Sequence, residues 1–556
     1  MIRRAGNPLV ETARSWAAIG VAALLFLAMA ALVDPARREE ETLPAFVPQQ
    51  QIAATPTSID PATGQSVAVD PNTGEALPPG VTVPAGGGGG ATPGGPASPG
   101  AGAGPCPDRT AQVPGDPYSP PCIAFSGTDN GGATTRGVSG DTITVAVREL
   151  EGPTAGELFA DLSGEPVISS KEAVEDTYRA MAEYFNSRFQ MYGRHIEIVF
   201  YGGQGNGSSE LLGAGQERAL ADAVRVSDEI QAFADVSGIT TPYADALSRQ
   251  HVVNIGAPYP PIDWFIDRRP YAWSLFPDGT KVVDTLAGWL HSRIANSPTV
   301  QYAPEFDGQQ RVIGVVGPEN PEYQSSGDRF AEEAQGINIA VGLQYRLDIS
   351  SMPNQASNII AQLKDKGVTT VLCACDPIML ALGMAPKANE QDYHPEWITG
   401  GLAFVDQDIV AQLIDDEQWQ HSFGLAFNAV SEPLTNSYPR SAYRTVRPTT
   451  EPAFGVEELY YQMYILALGI QLAGPNLTPE TFEQGMFSYP GGFGPRGSWH
   501  FGPDDYTTVD DYREIWWDPN AISGQNARPG AWQQLNGGAR WTPDNPPTGP
   551  ANFFQP

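Results

Sequence analysis

Four cysteines in 556 residues are too few for a disulfide scaffold. Basic residues are scarce as well: 32 Lys and Arg stand against 64 Asp and Glu, for a net charge of −32. A chain this acidic lacks the clustered positive charge that nucleic acid demands, and its charge discourages contact with anionic lipid. The six histidines (His195, His251, His291, His394, His421 and His500) show neither H-x-x-x-H nor HExxH spacing, so no metal site is expected. No G-x-S-x-G or Walker motif occurs and no nucleophile–base pair can be argued from spacing, which argues against an enzyme. Gly203-Gln-Gly205-Asn-Gly207 follows an apolar run, but the third glycine of a dinucleotide fingerprint falls on Ser208, so a loop is expected and no cofactor. Cys373 and Cys375, one residue apart in an apolar run, are expected to be two buried thiols. Cys106 and Cys122 bracket a Pro-rich loop and could pair outside the cytoplasm, closing about 15 residues at a gain of roughly 3 kcal/mol.

What is present falls into zones. Arg3, Arg4 and Arg14 precede an uncharged run from Trp16 to Val33, at the lower edge of a membrane span. Ala28-Met29-Ala30 would suit a signal peptidase. An uncleaved anchor is favoured over a cleaved signal (residues 1–33), with the arginine side in the cytoplasm and the rest outside. Residues 34–136, rich in Pro, Gly and Ala, read as a linker that cannot bury enough apolar surface to order itself. Folded sequence begins near Gly137, and residues 543–556 read as a tail.

Between them, strands and helices alternate, the pattern of an α/β fold with doubly wound parallel sheets. Strands are expected over Thr142–Val147, Ile196–Tyr201, Ile230–Val236 and Val252–Ile255. A second series covers Arg311–Gly317, Ile337–Leu347, Val368–Cys375, Trp397–Gly400 and Ser422–Asn428. Val174, Tyr178, Met181, Phe185 and Phe189 lie on one helix face. Phe454–Leu472 is a long apolar helix that still carries Glu457, Glu458, Gln462 and Gln471, and is expected to be a core helix rather than a membrane span. In parallel sheets, ligands sit beyond the carboxyl ends of the strands. The loops there are Gly152-Pro153-Thr154, Ser237-Gly238-Ile239-Thr240, Pro321-Glu322-Tyr323 and Cys375-Asp376. The second of these leads into a helix N-terminus, which favours an anion such as a carboxylate. Asp376 also suits a plain helix cap, with Pro377 at the first helical position. Four loops on one edge, shared between two halves, suggest an interlobe cleft for a small-molecule ligand.

GVSGDTITVAV, IQAFADVSGITTPYADAL, RVIGVVGPENPEYQSSG, VTTVLCACDPIMLALGMAPKANEQDYHPEWITGG and the closing FGPDD…YREIWWDP occur in that order over some four hundred residues. In this the chain resembles the type I periplasmic-binding-protein family, within it the branched-chain amino-acid (Leu/Ile/Val) branch of ABC-importer substrate-binding proteins. The resemblance implies two lobes joined by three crossovers, near Phe276–Lys281, Phe423–Glu432 and Gly491–Ser498. Residues 137–278 with 425–495 would form one lobe, and 279–424 with 496–542 the other. It implies Ser237 on a ligand carboxylate, Tyr323 as an aromatic from the second lobe, and Cys375 or Asp376 beside the ligand. The family's remaining carboxylate contacts align with about Tyr259 and Pro260. The acid that takes an ammonium falls near Gly401, which has no side chain; Asp376 or Asp406 could substitute, and an aromatic or amide-like ligand fits as well as an amino acid. The function implied is capture of a small polar or amphipathic solute outside the cell for an ABC permease. The alternative is a sensing ectodomain that recruits a membrane or cell-wall partner.

Overall fold

The computed structural model describes residues 57–59, 66–68, 110–150, 157, 159–160, 163–164, 167–211, 213–346, 351–549 and 551–554. The N-terminal segment expected to be an anchor lies outside them, as do Cys106 and Gly152-Pro153-Thr154. No helix among the described residues is long and apolar enough to cross a membrane. Two short strands, Thr57–Ile59 and Ser66–Ala68, pair antiparallel and belong to a unit of their own, residues 35–96.

In the main unit, the first sheet contains β1 (Thr142–Glu149), β2 (His195–Gly202), β3 (Ala234–Asp235), β4 (Val253–Ile255) and β5 (Ala272–Trp273), all parallel in the order β2-β1-β3-β4-β5. The second contains β6 (Ile313–Pro318), β7 (Ile339–Tyr345), β8 (Thr370–Cys373), β9 (Glu396–Thr399) and β10 (Ser422–Ala426), parallel in the equivalent order β7-β6-β8-β9-β10. Antiparallel β11 (Tyr512–Ile522) and β12 (Pro529–Gln534) extend it beyond β10. Both halves thus reverse strand order beside their first strand, which opens a crevice at the carboxyl edge of each sheet. Strand three is shorter than its apolar run suggests, because Arg225–Ile230 winds as a π-helix and the chain becomes extended only at Ala234.

The central strands of each sheet are buried on both faces, as parallel sheets require, while alternate residues of the edge strand β7 are exposed. The first sheet carries Val145, Tyr178, Phe185 and Trp273 on one side and Tyr201, Val226 and Leu247 on the other. The helix Val456–Ala473 belongs to the first lobe although it follows β10. It packs on the helix Lys171–Arg188 and is buried all round, with Tyr460, Tyr464 and Leu468 in the core. It is the core helix its four polar residues led us to expect. The chain therefore passes between lobes after β5, after β10 and again between Tyr506 and Tyr512.

Two segments are more ordered than composition suggests. From Thr110 the expected linker is packed chain: Tyr118 is buried, stacks on Trp499 at 4.2 Å and donates its hydroxyl to the Gly497 carbonyl. Near the C-terminus, where a tail was expected, Phe553 lies against Phe423 and Trp289, and Arg293 donates to the carbonyls of Thr548 and Gly549. In both places one or two aromatic anchors bury enough apolar surface to hold a stretch otherwise rich in Pro and Gly.

Candidate functional site

At the carboxyl edge of the first sheet, the Ser237 hydroxyl is buried and engaged within its own lobe: it donates to Asp235 and accepts from the backbone N–H of Arg148. The head of the helix Thr241–Arg249 already holds a carboxylate, and it is the chain's own. Glu210, on the short helix Gly207–Leu211, accepts from the Thr240 hydroxyl and takes both terminal nitrogens of Arg148, at 2.9 and 2.7 Å. Arg148 lies over the Tyr243 ring at 3.5 Å and also meets Asp222 at 3.3 Å. Every charge in this buried set has an opposite charge beside it, as burial demands, although the Arg148 Nε makes no hydrogen bond. Gly238 packs beside Leu247 and Asn254.

The second lobe's loops gather differently. Asp376 accepts from the Tyr345 hydroxyl at 2.6 Å and caps the following helix through the N–H groups of Ile378 and Met379, at 2.9 Å each. The capping role its position suggested is therefore the one its oxygens fill. Burial raises its carboxyl above the usual range, against the pull of those hydrogen bonds. Cys373 and Cys375 are joined in a disulfide, their Cα atoms 5.0 Å apart, and are not the two thiols expected. Side chains two apart on a strand leave on one face, and here the chain turns out of β8 between them, closing the gap. Cys122 is disulfide-bonded as well. Gly401 is buried at φ +65°, where a Cβ would lie 2.6 Å from the Leu425 carbonyl oxygen, so backbone geometry alone accounts for glycine there.

Tyr259, Tyr323, Cys375 and Asp376 do come together. They line a half-open groove of 630 Å³, whose walls come from β6, β7, β8, the helix Gly279–Trp289 and the helix Gln324–Glu333 and whose Gln324, Asp328 and Gln344 are exposed. Tyr259 reaches it from the first lobe and accepts the Ala403 N–H at 2.9 Å, while Asn320 donates to the Leu211 carbonyl at 2.7 Å. These bonds tie the lobes together at the groove. Ser237, Gly238, Thr240 and Gly401 do not line it.

A second cavity, of 160 Å³, lies where the crossovers meet. Phe159, from the segment after β1, stacks on Phe454 at 4.8 Å; Phe404 enters from the second lobe, and Glu458, Tyr461 and Arg496 complete it. Arg496 is buried over the Tyr461 ring, donates to Asn428 at 3.1 Å and stands 3.7 Å from Glu458. Its Nε has no partner. Burial pushes the Glu458 carboxyl up to about 7, the Arg496 charge only partly opposing it. Glu432 is raised by burial too. Aromatic walls around a carboxyl–guanidinium pair can hold a small polar or amphipathic molecule by stacking and charge-assisted hydrogen bonds. Among the described residues no group of His, Cys, Asp and Glu is arranged to hold a metal ion.

A family model described as "Periplasmic binding protein" matches residues 158–519. The chain belongs to the periplasmic binding protein family. Two solved structures at a TM-score of 0.50 share the fold of this binding protein. A solute-binding protein of an ABC transporter from R. palustris, in complex with 4-hydroxybenzoate, superposes with a TM-score of 0.50 at 13% identity, covering 73% of this chain and 98% of that one. A substrate-binding protein of an ABC transporter from Aeropyrum pernix does so with 0.50 at 14% identity, covering 72% and 96%. A branched-chain amino-acid transporter substrate-binding protein from Streptococcus pneumoniae, in complex with isoleucine, gives 0.46 at 11%, covering 71% and 100%. No curated protein matches the sequence.

The binding protein's crossover cavity was not read from its sequence. One signal for it was present: Glu458 is one of two acids in the first turn of a largely apolar, buried helix. Such a residue is either a dipole partner or part of a site. Arg496 and Phe404 carried no signal, since nothing local marks a residue that is brought to a cleft only by the third pass of the chain.

Proposed function

We propose that this binding protein captures a small polar or amphipathic solute between its lobes, outside the cell, and presents it to an ABC permease, performing no chemistry on it. The observation that carries the reading is the crossover cavity, walled by both lobes and floored by Arg496 and Glu458. A ligand touching both lobes favours the closed form by its differential contacts, so capture and hinge closure are one equilibrium. The occupied state of the Thr240–Arg148 corner adds a restriction. Glu210 already satisfies the cation there, so the solute needs no carboxylate at that corner, and Ser237 serves the loop rather than the ligand. The crossover aromatics Phe159, Phe404, Phe454 and Tyr461 are the proposed contacts, and the N-terminal segment the proposed tether.

Thermal unfolding of the protein against amino acids, amides and small aromatic acids tests this. A solute at a hundred times its Kd adds about 2.7 kcal/mol to stability, and small-angle scattering should show compaction with the same solute. If no solute raises the melting temperature or compacts the protein once any carried-over ligand has been removed, the proposal fails.

A further inference from the structure

The charges around the crossover cavity do not balance. Glu432, Glu457 and Glu458 line it with a single cation, Arg496, and with no Lys or His. Glu457 has partners behind the wall: Arg440 comes to 3.4 Å, and the Ser437 hydroxyl donates to the same oxygen at 2.6 Å. Arg496 is left to serve the other two acids. It donates to Asn428 and stands 3.7 Å from Glu458, beyond hydrogen-bond length. Glu432 takes the backbone N–H of Tyr438 and feels the same guanidinium at longer range. Behind Asn428, Asp406 is answered by the Arg513 charge. The positive end of the helix Val456–Ala473 favours Glu457 and Glu458, and with it the wall still carries roughly half to one unmatched negative charge. Burial sharpens the deficit, raising the Glu432 carboxyl and pushing that of Glu458 up to about 7. Beside these acids, the half-buried rings of Phe404 and Phe454 line the cavity. Its 160 Å³ is below the ~300–1,000 Å³ of drug-sized sites, so its guest is small.

We infer that the solute taken by this cavity is a small organic monocation, an amine or quaternary ammonium with an apolar body, whose charge faces Glu432 and Glu458 and whose body rests on Phe404 and Phe454. The inference rests on the proposed function and goes further by naming the charge of the guest. A carboxylate guest would compete with two acids for one guanidinium and would lose its hydration beside them. A neutral guest would leave the negative charge unmatched. A cation is drawn by the carboxylates and by the aromatic faces together, and the net charge of −32 steers it toward the protein. Because the bound cation favours ionised Glu458, its uptake below about pH 7 releases a proton to solvent.

Calorimetric titration of the full chain with phenethylamine and benzyltrimethylammonium tests this, with phenethyl alcohol, hydrocinnamate and phenylalanine as the neutral, anionic and zwitterionic counterparts. At pH 8 both cations should bind at least about tenfold more tightly than any counterpart. Lowering the pH to 5 should weaken phenethylamine by about ten- to ninetyfold, with a proton released per cation bound. Glu458→Gln and Glu432→Gln, both close in shape to the parent residue, should each weaken the cations at pH 8 by about tenfold or more. Glu458→Gln should also flatten the pH dependence. Three results would each overturn the inference: no binding of either cation up to ~10 mM at pH 8, a counterpart that binds as tightly as the cations, or cation affinity unchanged in both folded variants. If a counterpart or a solute from the thermal screen binds and compacts the protein while the cations do not, the solute-binding reading stands and the choice of charge falls. If the cations bind and lose binding in the variants while scattering shows no compaction, the cation site stands and capture by lobe closure falls.

Discussion

Glu458 makes the crossover cavity measurable through stability alone. Its carboxyl ordinarily titrates at 4.5 and is pushed to about 7 by burial in the fold. The folded state therefore binds the proton more tightly than the unfolded state does. The stability this contributes is fully present below pH 4.5 and is lost as the pH rises through about 7. Across the whole window the loss amounts to about 3 kcal/mol, of which about 2.5 falls between pH 5 and 8.5. Glu458→Gln removes the titration while keeping the shape. Urea unfolding of wild type and variant at the two pH values isolates the effect. The difference in unfolding free energy, variant minus wild type, should be more positive by about 2–3 kcal/mol at pH 8.5 than at pH 5. Asp510, whose carboxyl burial raises to about 8, titrates in both proteins and cancels. A difference that does not change with pH would refute the burial argument. A change of opposite sign would mean that Arg496 holds Glu458 ionised and that the pair outweighs desolvation.

Other expectations follow from the same contacts. Glu210→Ala should destabilise the protein by about 3 kcal/mol, since it leaves Arg148 only its 3.3 Å contact with Asp222 and Thr240 without its acceptor; chemical denaturation reads this, and a loss below about 1 kcal/mol would mean that water replaces the carboxylate. Tyr259→Phe removes the bond to the Ala403 N–H that spans the lobes, at a cost of about 1 kcal/mol, and should raise the radius of gyration in small-angle scattering. Gly401→Ala forces a Cβ to 2.6 Å from the Leu425 carbonyl at φ +65°, so a loss of more than ~2 kcal/mol is expected. Thiol titration of the denatured, unreduced protein should find none of the four cysteines free, and after reduction all four; two reactive thiols without reduction would show that Cys373 and Cys375 are unpaired.

The sequence by itself determined the repeating strand–helix order, the two series of strands and the loops that end up on one edge. Those are properties of local periodicity: β-branched runs such as Val368–Leu372, the capping pair Asp376-Pro377 and the apolar face from Val174 to Phe189 act within a few residues. It also carried the correct reading of Phe454–Leu472 as a core helix, because four polar residues in an apolar run suit a buried helix with partners better than lipid. Tertiary structure decided which groups on that edge remain available to a ligand. Nothing within ten residues of Ser237 shows that Glu210 will fill the neighbouring anion corner, whereas Asp235, which takes its hydroxyl, stands only two residues before it. The disulfide between Cys373 and Cys375 depends on where the chain leaves β8, and the anchoring of Thr110–Arg136 on partners such as Trp499, nearly four hundred residues away. The crossover cavity is the extreme case: Phe159, Phe404, Glu458 and Arg496 come from four separate stretches. Their meeting is set by the path of the chain between lobes, and their chemistry by how much water that path excludes.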